Sequence, residues 1–221
     1  MSTNIAVVGG NGQIARMLHP LLVARGHTPI ALVRSESHRN RLEAMGAAVR
    51  LLDIEHSTPG DFSAAFDGAH AVVFLAGGGP DGNIERKRTV DLEGALKSIE
   101  GAQQAGISRF VQVSAINVDE PIPDDASPVW RAYVEAKRDA DIALRDSGLD
   151  WTIIRPGLLT DDDPTGLVEL GEDVARAEIP RADVAAVLAE VLDSGAGIGA
   201  QWNLVSGDTP IADAVAGTST R

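Results

Sequence analysis

Short apolar runs rich in β-branched residues alternate along this chain with longer amphipathic stretches. Most of the runs are apolar without alternation, which is typical of strands that a parallel sheet buries on both faces. Five of the amphipathic stretches are followed within two residues by a glycine, the residue favoured where a helix ends in left-handed backbone. The predicted strands are 4–8, 28–33, 48–52, 70–75, 109–114 and 151–155, and the predicted helices are 13–25, 36–45, 61–66, 83–105 and 128–147.

The pattern changes after residue 155. Residues 156–171 are rich in Gly, Pro and Asp and predict a loop, in which three consecutive aspartates, 161–163, favour a solvated acidic turn over a divalent-cation site. A helix over 181–192, a strand over 201–205 and a frayed end over 218–221 follow. The sequence therefore predicts one α/β domain over 1–221, a doubly wound and mostly parallel Rossmann sheet, with a small substrate-side lobe over 156–221.

Charge and composition exclude several kinds of partner. The chain has 221 residues with 32 acidic and 19 basic side chains, a formal net charge of −13, which repels nucleic acids and anionic membranes. It has no cysteine, so disulfides and thiolate metal sites are impossible, and we expect no metal. No apolar stretch is long enough for a membrane span, so we expect a cytoplasmic protein, monomeric or homodimeric, with a small-molecule substrate.

A glycine-rich turn follows the first predicted strand and opens the first predicted helix. The run GGNGQIA at 9–15 contains Gly-x-x-Gly-x-x-Ala in the strand, turn and helix context of a dinucleotide site. Gly9 permits a tight turn, Gly12 lets the backbone approach a pyrophosphate, and Ala15 allows the helix to pack closely on the strand. An ordinary glycine-rich turn is the alternative. The predicted cofactor residues here are Gly9, Asn11, Gly12, Gln13 and Ile14.

The residue after the second predicted strand indicates which dinucleotide is bound. NAD sites usually have an acidic residue here to accept the ribose 2′-OH, whereas this chain has Arg34, 22 residues after Gly12. A guanidinium suits a 2′-phosphate, and Ser35 can add a hydrogen bond. Arg39 is a weaker second candidate. We therefore expect NADP(H) to be preferred over NAD(H), the alternative being that Arg34 is a solvated surface arginine.

Two further strand ends carry candidate cofactor residues. Asp53 could accept a hydrogen bond from the adenine amino group while Ile54 packs on the ring, although the pair could equally be a simple strand end. Ala76, Gly77 and Gly78 follow the fourth predicted strand, where glycine leaves room for a ligand against the backbone. A flexible loop tip would also use glycine, but ligands of such sheets bind outside the carboxyl ends of the strands.

Tyr133, the only tyrosine of the chain, stands four residues before Lys137, one of three lysines. Ser127 can cap their helix and Pro128 suits its first position. A spacing of four places both side chains on one helix face, where the ammonium can favour the phenolate and make the tyrosine a general acid and base. An aromatic core residue beside a solvated lysine is the alternative.

Ser114 ends the fifth predicted strand, so a hydroxyl and a Tyr/Lys helix face would lie beside the dinucleotide, as carbonyl reduction requires. In this order of glycine-rich turn, Ser and Tyr-x-x-x-Lys, nearly the whole chain resembles the short-chain dehydrogenase/reductase superfamily. It is most similar to the small atypical members described as NAD(P)-dependent epimerases or NAD(P)H-binding proteins. The matching stretches are 9–15, 33–34, 109–114, 153–157, 180–185 and 204–210.

The resemblance implies a role for each catalytic candidate. Tyr133 would be the general acid and base, and Lys137 would hold the nicotinamide ribose and favour the phenolate. Ser114 would hydrogen-bond the substrate oxygen. Asp91 matches the position where other family members have an active-site Asn; it would support the helix or a water relay, and near Lys137 it could also damp the effect of that lysine on Tyr133.

The resemblance also covers the end of the sixth predicted strand. Pro156 would border the nicotinamide ring, and Arg155 would anchor the strand end rather than contact the substrate. Hydride transfer would belong to the cofactor, while the protein supplies orientation and proton transfer.

The sequence thus favours an NADP(H)-dependent oxidoreductase acting on a small carbonyl, quinone or flavin-like substrate. One alternative is an NAD(P)-dependent sugar epimerase or dehydratase, although the lobe over 156–221 is small for enclosing a nucleotide sugar. The other is a non-enzymatic NADP-binding redox sensor of the NmrA-like type, which has no need of the Tyr133 and Lys137 pair.

Overall fold

The computed structural model describes residues 2–79 and 82–218. Within these residues nine strands form one sheet and two form a second, small sheet. The strands, numbered in chain order, are β1 (Asn4–Val8), β2 (Thr28–Val33), β3 (Ala48–Leu51), β4 (Ala71–Phe74), β5 (Arg109–Val113), β6 (Asp150–Pro156), β7 (Leu158–Thr160), β8 (Leu167–Gly171), β9 (Glu178–Pro180), β10 (Ala200–Ser206) and β11 (Thr209–Pro210).

The order of the strands determines where a ligand can bind. The large sheet runs β11-β8-β10-β6-β5-β4-β1-β2-β3, and it is parallel from β3 through β10. Val8, the last residue of β1, is opposite Leu32 in β2 and Phe74 in β4. The chain turns in opposite directions after β1 and β4, and the crevice between such strand ends is where doubly wound folds bind ligands. The predicted Rossmann class is confirmed.

Helices cover both faces of the sheet. They are α1 (Gln13–Ala24), a 3₁₀ turn (Glu36–His38), α2 (Arg39–Ala44), α3 (Pro59–Ala65), α4 (Ile84–Arg86), a π-helical turn (Lys87–Leu92), α5 (Glu93–Gln104), α6 (Pro128–Arg145), α7 (Arg181–Ser194) and α8 (Ile211–Thr218). None of these helices of the described chain combines the length and apolar character needed to cross a membrane. The single helix predicted over 83–105 is thus interrupted by the π turn. No proline lies within that segment, so the sequence pattern does not reveal the interruption.

The core consists of two layers separated by the sheet. Ile5 and Val7 of β1 face the layer that contains α1, α7 and α8, whereas Ala6 and Val8 face the layer of α3, α5 and α6. Because successive side chains of a strand point to opposite faces, a continuous apolar run is what two buried faces require.

The prediction that residues 156–171 form a loop is wrong. They contain β7 and β8, and β8 pairs antiparallel with β10, so Val168 is fully buried in the large sheet. The turn before β8 is held by Asp183, whose carboxylate accepts hydrogen bonds from the backbone N–H groups of Thr165 and Gly166 at 2.9 Å each. The strand depends on these long-range partners rather than on its own composition. Thr218, predicted to be frayed, ends α8, and residues 219–221 lie outside the described residues.

Candidate functional site

The turn between β1 and α1 has the form required to hold an anion. Gly9 adopts a left-handed backbone with φ of +79°, and a Cβ there would lie 2.9 Å from the backbone of Ala76. The N–H of Gly12 donates to Gly9 O at 2.9 Å and closes the turn. Among the described residues, no side chain caps the first turn of α1. The N–H groups at the start of α1, where Gln13 and Ile14 lie, are therefore available to a phosphate.

Gly10 and His19 hold this turn against the sheet, a role that sequence reasoning missed. A Cβ on Gly10 would lie 2.8 Å from Ala31 Cα, so only glycine fits there. His19 Nε2 donates to Gly10 O at 2.7 Å. Burial lowers the pKa of His19, although the bond to Gly10 works in the opposite direction. A neutral histidine of α1 therefore holds the glycine turn in place through this hydrogen bond. The only sequence signal for this role is a histidine on the face of α1 that is predicted to be buried.

A cleft of about 380 Å³ opens beside this turn at the β1/β4 crevice. The residues predicted to bind the pyrophosphate and those predicted to bind the adenine both lie at this cleft. Gln13 is exposed at the start of α1, while Ile14 packs against the core, so both candidates border the turn without lining the cleft. The candidates that line the cleft are Gly9, Asn11, Gly12, Arg34, Ser35, Asp53, Ile54, Ala76 and Gly77.

Arg34 lies at the rim of this cleft with a side chain that is 66% exposed. Its Nη1 is 3.6 Å from Oε2 of Glu55, a cleft residue that sequence reasoning missed. Glu55 is itself held by the Thr89 hydroxyl, which donates to it at 2.8 Å. Arg39 does not line the cleft, because its guanidinium pairs with Glu36 and Glu43. Arg34 is thus the better placed of the two arginine candidates.

Neighbouring side chains hold two of the other cofactor candidates. Asn11 Oδ1 accepts a hydrogen bond from Arg41 at 2.5 Å, which adds a cation beside the phosphate turn. Asp53 accepts from the Glu55 N–H at 3.0 Å and lies 3.2 Å from His56 Nδ1. Burial opposes ionisation, but these bonds hold the pKa of Asp53 below its usual range. Asp53 is therefore an anionic acceptor, as the predicted contact with an adenine amino group requires.

The glycines after β4 serve two different purposes. Gly77 lines the cleft, whereas Gly78 is buried against the π turn and does not line it. A Cβ on Gly78 would lie 2.8 Å from Arg86 O, and its N–H donates to Asp91 Oδ2 at 2.7 Å. The expectation that Gly78 leaves room for a ligand is therefore corrected: it leaves room for the end of α4 and for the Asp91 carboxylate.

Asp91 and Lys137 form a buried ion pair. Lys137 Nζ lies 3.3 Å from Asp91 Oδ1 and also 3.3 Å from Val113 O. Burial disfavours the ammonium, but the Asp91 carboxylate and other nearby groups outweigh it and raise the pKa of Lys137. Burial also raises the pKa of Tyr133; Lys137 acts against this, while Asp91 adds to it. Lys137 therefore acts in the expected direction, toward the phenolate, but burial together with Asp91 outweighs it and the pKa of Tyr133 is raised overall.

Two side chains that sequence reasoning missed flank the Tyr133 ring. Lys87 Nζ lies 5.7 Å from the ring centroid and donates to Gly79 O, and Lys87 is almost completely buried. The Trp130 ring is tilted against the tyrosine with centroids 5.6 Å apart. The signal for Lys87 was its position one helical turn before Asp91. These contacts fix the orientation of the ring.

The Ser114 hydroxyl is engaged within the protein. It donates to Asp141 Oδ2 at 2.8 Å, and this buried carboxylate also accepts from Gln112 at 2.7 Å and from Arg155 Nε at 2.9 Å. Arg155 further pairs with Asp119 at 2.6 Å, so it anchors the strand end as expected. The Ser114 proton is therefore engaged by Asp141, and the expected hydrogen bond from Ser114 to a substrate oxygen stays a prediction.

A second cavity, of about 290 Å³, lies beyond the ends of β5 and β6. It brings together Ser114, Tyr133 and Pro156, three of the predicted site residues, at the same edge of the sheet as the cleft. Apolar side chains form most of its wall. The other lining residues are Ala115, Ile116, Trp130, Gly157, Leu158, Leu159, Arg176 and Arg181.

The aspartates at 161–163 do not form a metal site. Asp161 Oδ1 pairs with Arg181 Nη1 at 2.8 Å. Across the described chain, no group of three or more His, Cys, Asp or Glu side chains is arranged to hold a metal ion.

Comparison with known proteins places these features in a family context. The model of a family described as NAD(P)H-binding matches residues 9–195. The chain is 39% identical over 212 residues to the "Uncharacterized sugar epimerase YhfK" of Bacillus subtilis, covering 96% of this chain and 98% of that protein.

Solved structures share the whole architecture. A candidate NAD-dependent epimerase/dehydratase from Bacillus halodurans is 39% identical with a TM-score of 0.90, and the match covers 98% of this chain and 100% of that one. The oxidoreductase ylbE from Lactococcus lactis is 26% identical with a TM-score of 0.84, over 97% of this chain and 95% of that one.

Proposed function

The chain belongs to the NAD(P)H-binding family, as an atypical member of the short-chain dehydrogenase/reductase type, and we propose that it is an NADP(H)-dependent oxidoreductase with Tyr133 as its proton donor. Its substrate would be a small carbonyl, quinone or flavin-like compound. The observation that carries the proposal is the position of Tyr133 in the wall of a mostly apolar cavity, beside the dinucleotide cleft.

The residues of the cleft fit a dinucleotide. The start of α1 offers N–H groups without a side-chain cap among the described residues, and the turn before it leaves no Cβ between Gly9 and Ala76. Gly12 and Asn11 would border the pyrophosphate, and Asp53 would accept from the adenine. When bound, the cofactor supplies the hydride.

Arg34 supports NADP(H) over NAD(H). Its exposed guanidinium lies at the rim of the cleft, where a 2′-phosphate could take two of its N–H groups, and Ser35 lines the same rim. The 3.6 Å contact with Glu55 holds the guanidinium loosely enough to be exchanged for a phosphate.

Tyr133 is suited to donate a proton rather than to accept one. Because burial raises its pKa, the hydroxyl stays protonated at neutral pH. Trp130 and Lys87 fix the ring, so the hydroxyl is presented in one orientation. In the reductive direction Tyr133 would protonate the substrate oxygen, Lys137 would bind the ribose, and solvent would return a proton to Tyr133.

NADPH oxidation by small aldehydes, ketones, quinones and flavins, measured for wild type and Tyr133→Phe, tests this proposal. Phenylalanine keeps the ring contacts and removes only the hydroxyl. We expect turnover to fall by roughly 10²-fold while NADPH affinity, measured by fluorescence titration, is unchanged. An unchanged turnover in Tyr133→Phe would show that Tyr133 is not the proton donor. If the wild type oxidised NADPH with none of these acceptors, the result would favour a non-enzymatic NADP-binding redox sensor.

A sugar epimerase or dehydratase is the second candidate, because the names of YhfK and of the Bacillus halodurans protein point to it. The 290 Å³ cavity is at the lower limit for a ligand site, which disfavours a nucleotide sugar. Interconversion of nucleotide sugars by the NAD-loaded protein, followed by chromatography, distinguishes the two.

A further inference from the structure

Two arginines face the Tyr133 cavity from the C-terminal segment. Arg176 and Arg181 line it, whereas no acidic residue is present among its described lining residues. Apolar side chains, including Ile116 and Trp130, also line it. The cavity is therefore a small apolar chamber with cationic groups in its wall, and the proposed reaction uses neither arginine.

The charge of the chain makes these arginines informative. With a net charge of −13, the protein repels anions at long range, so an anionic ligand needs a locally built site. Arginine suits this purpose because its planar fork donates two parallel hydrogen bonds to a carboxylate or phosphate.

Arg181 already forms an ion pair with a carboxylate, that of Asp161. Its Nη1 is 2.8 Å from Asp161 Oδ1, and the two side chains are 20% and 70% exposed, respectively. An ion pair with such an exposed partner contributes little to stability, so a ligand carboxylate can displace Asp161 at low cost. The Arg181 guanidinium is thus placed to bind a carboxylate at the edge of the cavity.

Arg176 connects this cavity to a neighbouring one. A second space of about 190 Å³ shares Ile116, Trp130 and Arg176 with the Tyr133 cavity and continues over Ile122 and Pro123. Trp130 and Arg176 thus line both spaces, and the neighbouring space is also lined by Glu120. A ligand with an apolar body and one anionic group fits this distribution.

We propose that the substrate is an amphiphilic oxo acid, an inference that rests on the proposed oxidoreductase function. Its carbonyl would lie at Tyr133, its apolar body against Trp130 and Ile116, and its anionic group on Arg176 and Arg181. The carbonyl carbon gains a hydride as the dihydronicotinamide is oxidised, and the oxygen takes the Tyr133 proton, giving an alcohol. The acid group is unchanged, and solvent returns a proton to Tyr133.

Binding is tested first, without turnover. Isothermal titration calorimetry on the NADP-saturated protein compares para-methylbenzoate with its neutral isostere para-methylbenzamide. We expect the acid to bind about tenfold more tightly in the wild type, as charge-assisted hydrogen bonds imply. Arg176→Gln and Arg181→Gln should each remove most of this preference. Arg25→Gln is the matched control, because Arg25 also forms a partly exposed ion pair, with Glu190, away from the cavity.

Asp161→Asn provides a gain that misfolding cannot mimic. By releasing Arg181 it should strengthen binding of the acid by up to about fivefold and leave the amide unchanged. Equal affinities for acid and amide in wild type, or a preference that survives both arginine substitutions, would overturn the anion site.

Turnover is tested with para-formylbenzoate, its methyl ester and para-formylphenyl phosphate. We expect kcat/KM for the carboxylate to exceed that for the ester by about tenfold and to fall toward it in the arginine variants. A higher value for the phosphate than for the carboxylate would identify the anion as a phosphate. Equal reduction of acid and ester would overturn this inference and leave the oxidoreductase intact. Selective binding of the acid without reduction of any aldehyde would instead contradict the proposed reaction.

Discussion

The ammonium of Lys137 lies 3.3 Å from Oδ1 of Asp91, and both side chains are almost fully removed from solvent. The same carboxylate accepts the Gly78 N–H through its other oxygen, so it ties the glycine loop after β4 to α6. The charge of the lysine is therefore shared with Asp91 before it acts on Tyr133. Burial raises the pKa of Tyr133, one turn away on the same helix, and Lys137 does not offset this because Asp91 acts against it.

Lys137→Met should raise the pKa of Tyr133 further. Lys137 is the group that lowers this pKa, and its removal leaves Asp91 unopposed. The chain has a single tyrosine, so the near-ultraviolet absorbance of tyrosinate during a pH titration reports Tyr133 alone. In the double variant with Asp91→Asn the pKa should fall below that of the single variant, because the opposing carboxylate is also gone. Lys97→Met, which removes a lysine that contacts Phe62 instead, is the control. A lower pKa in Lys137→Met would contradict the coupling.

The pH profile of reduction should reflect a protonated tyrosine. A proton donor is active below its pKa, and burial places the pKa of Tyr133 above the ordinary tyrosine value of about 10. We expect kcat for NADPH oxidation to be level from about pH 6 to about pH 9 and to fall only at higher pH. Stopped-flow measurement of the hydride-transfer step tests this directly. A decline centred near neutrality would mean that another group donates the proton.

Arg34→Ala should weaken NADPH binding by about 10- to 100-fold and NADH binding by less than about threefold, since a charge-assisted hydrogen bond contributes about 1.5 to 3 kcal/mol. Fluorescence titration of both cofactors measures this. Arg39→Ala is the control, because its guanidinium pairs with Glu36 and Glu43 outside the cleft. Equal losses for the two cofactors would overturn the preference for NADP(H).

Sequence reasoning recovered the parts of the fold that local pattern determines. Strands such as β1 and β6 are buried on both faces, so their apolar runs are conspicuous. β8 was missed because its exposed and glycine-flanked residues depend on pairing with β10 and on Asp183. The π turn was missed because local propensity does not reveal it; Asp91 within it accepts the Gly78 N–H, a contact between separate segments of the chain.

The candidate site also has some residues that the sequence pattern predicts and others that depend on tertiary contacts. Arg34 and Ser114 immediately follow strands and Asp53 follows β3 by two residues, so their arrival at the ligand edge followed from the predicted sheet. Asp141 was missed because only the packing of α6 on β5 brings it to Ser114. Likewise Glu55 reaches Arg34 from a loop that the pattern of strands does not position. Spacing therefore predicts which residues are near the ligand, whereas the partners that set their protonation depend on tertiary packing.

Ser114→Ala should cost stability more clearly than activity. The hydroxyl donates to the buried Asp141 carboxylate, and losing such a bond costs about 1.5 to 3 kcal/mol. Urea unfolding measures the loss, and Gln112→Leu, which removes another donor to Asp141, should give a loss of the same sign. We expect kcat to fall much less than in Tyr133→Phe. A fall in kcat as large as that of Tyr133→Phe, with little loss in the free energy of unfolding, would instead indicate that Ser114 contacts the substrate oxygen directly.

Gly9→Ala should impair both stability and cofactor binding, whereas Gly26→Ala should affect stability alone. Both glycines have left-handed backbone, with φ of +79° and +83°, so alanine at either position costs about 1 to 2 kcal/mol. At Gly26 a Cβ meets nothing within 4 Å, but at Gly9 it would lie 2.9 Å from the backbone of Ala76. The β1/α1 turn must then move relative to β4, and the N–H groups at the start of α1 move with it. Urea unfolding and NADPH titration of both variants separate the two effects. Equal losses of stability, with NADPH affinity unchanged in Gly9→Ala, would show that the turn does not hold the pyrophosphate.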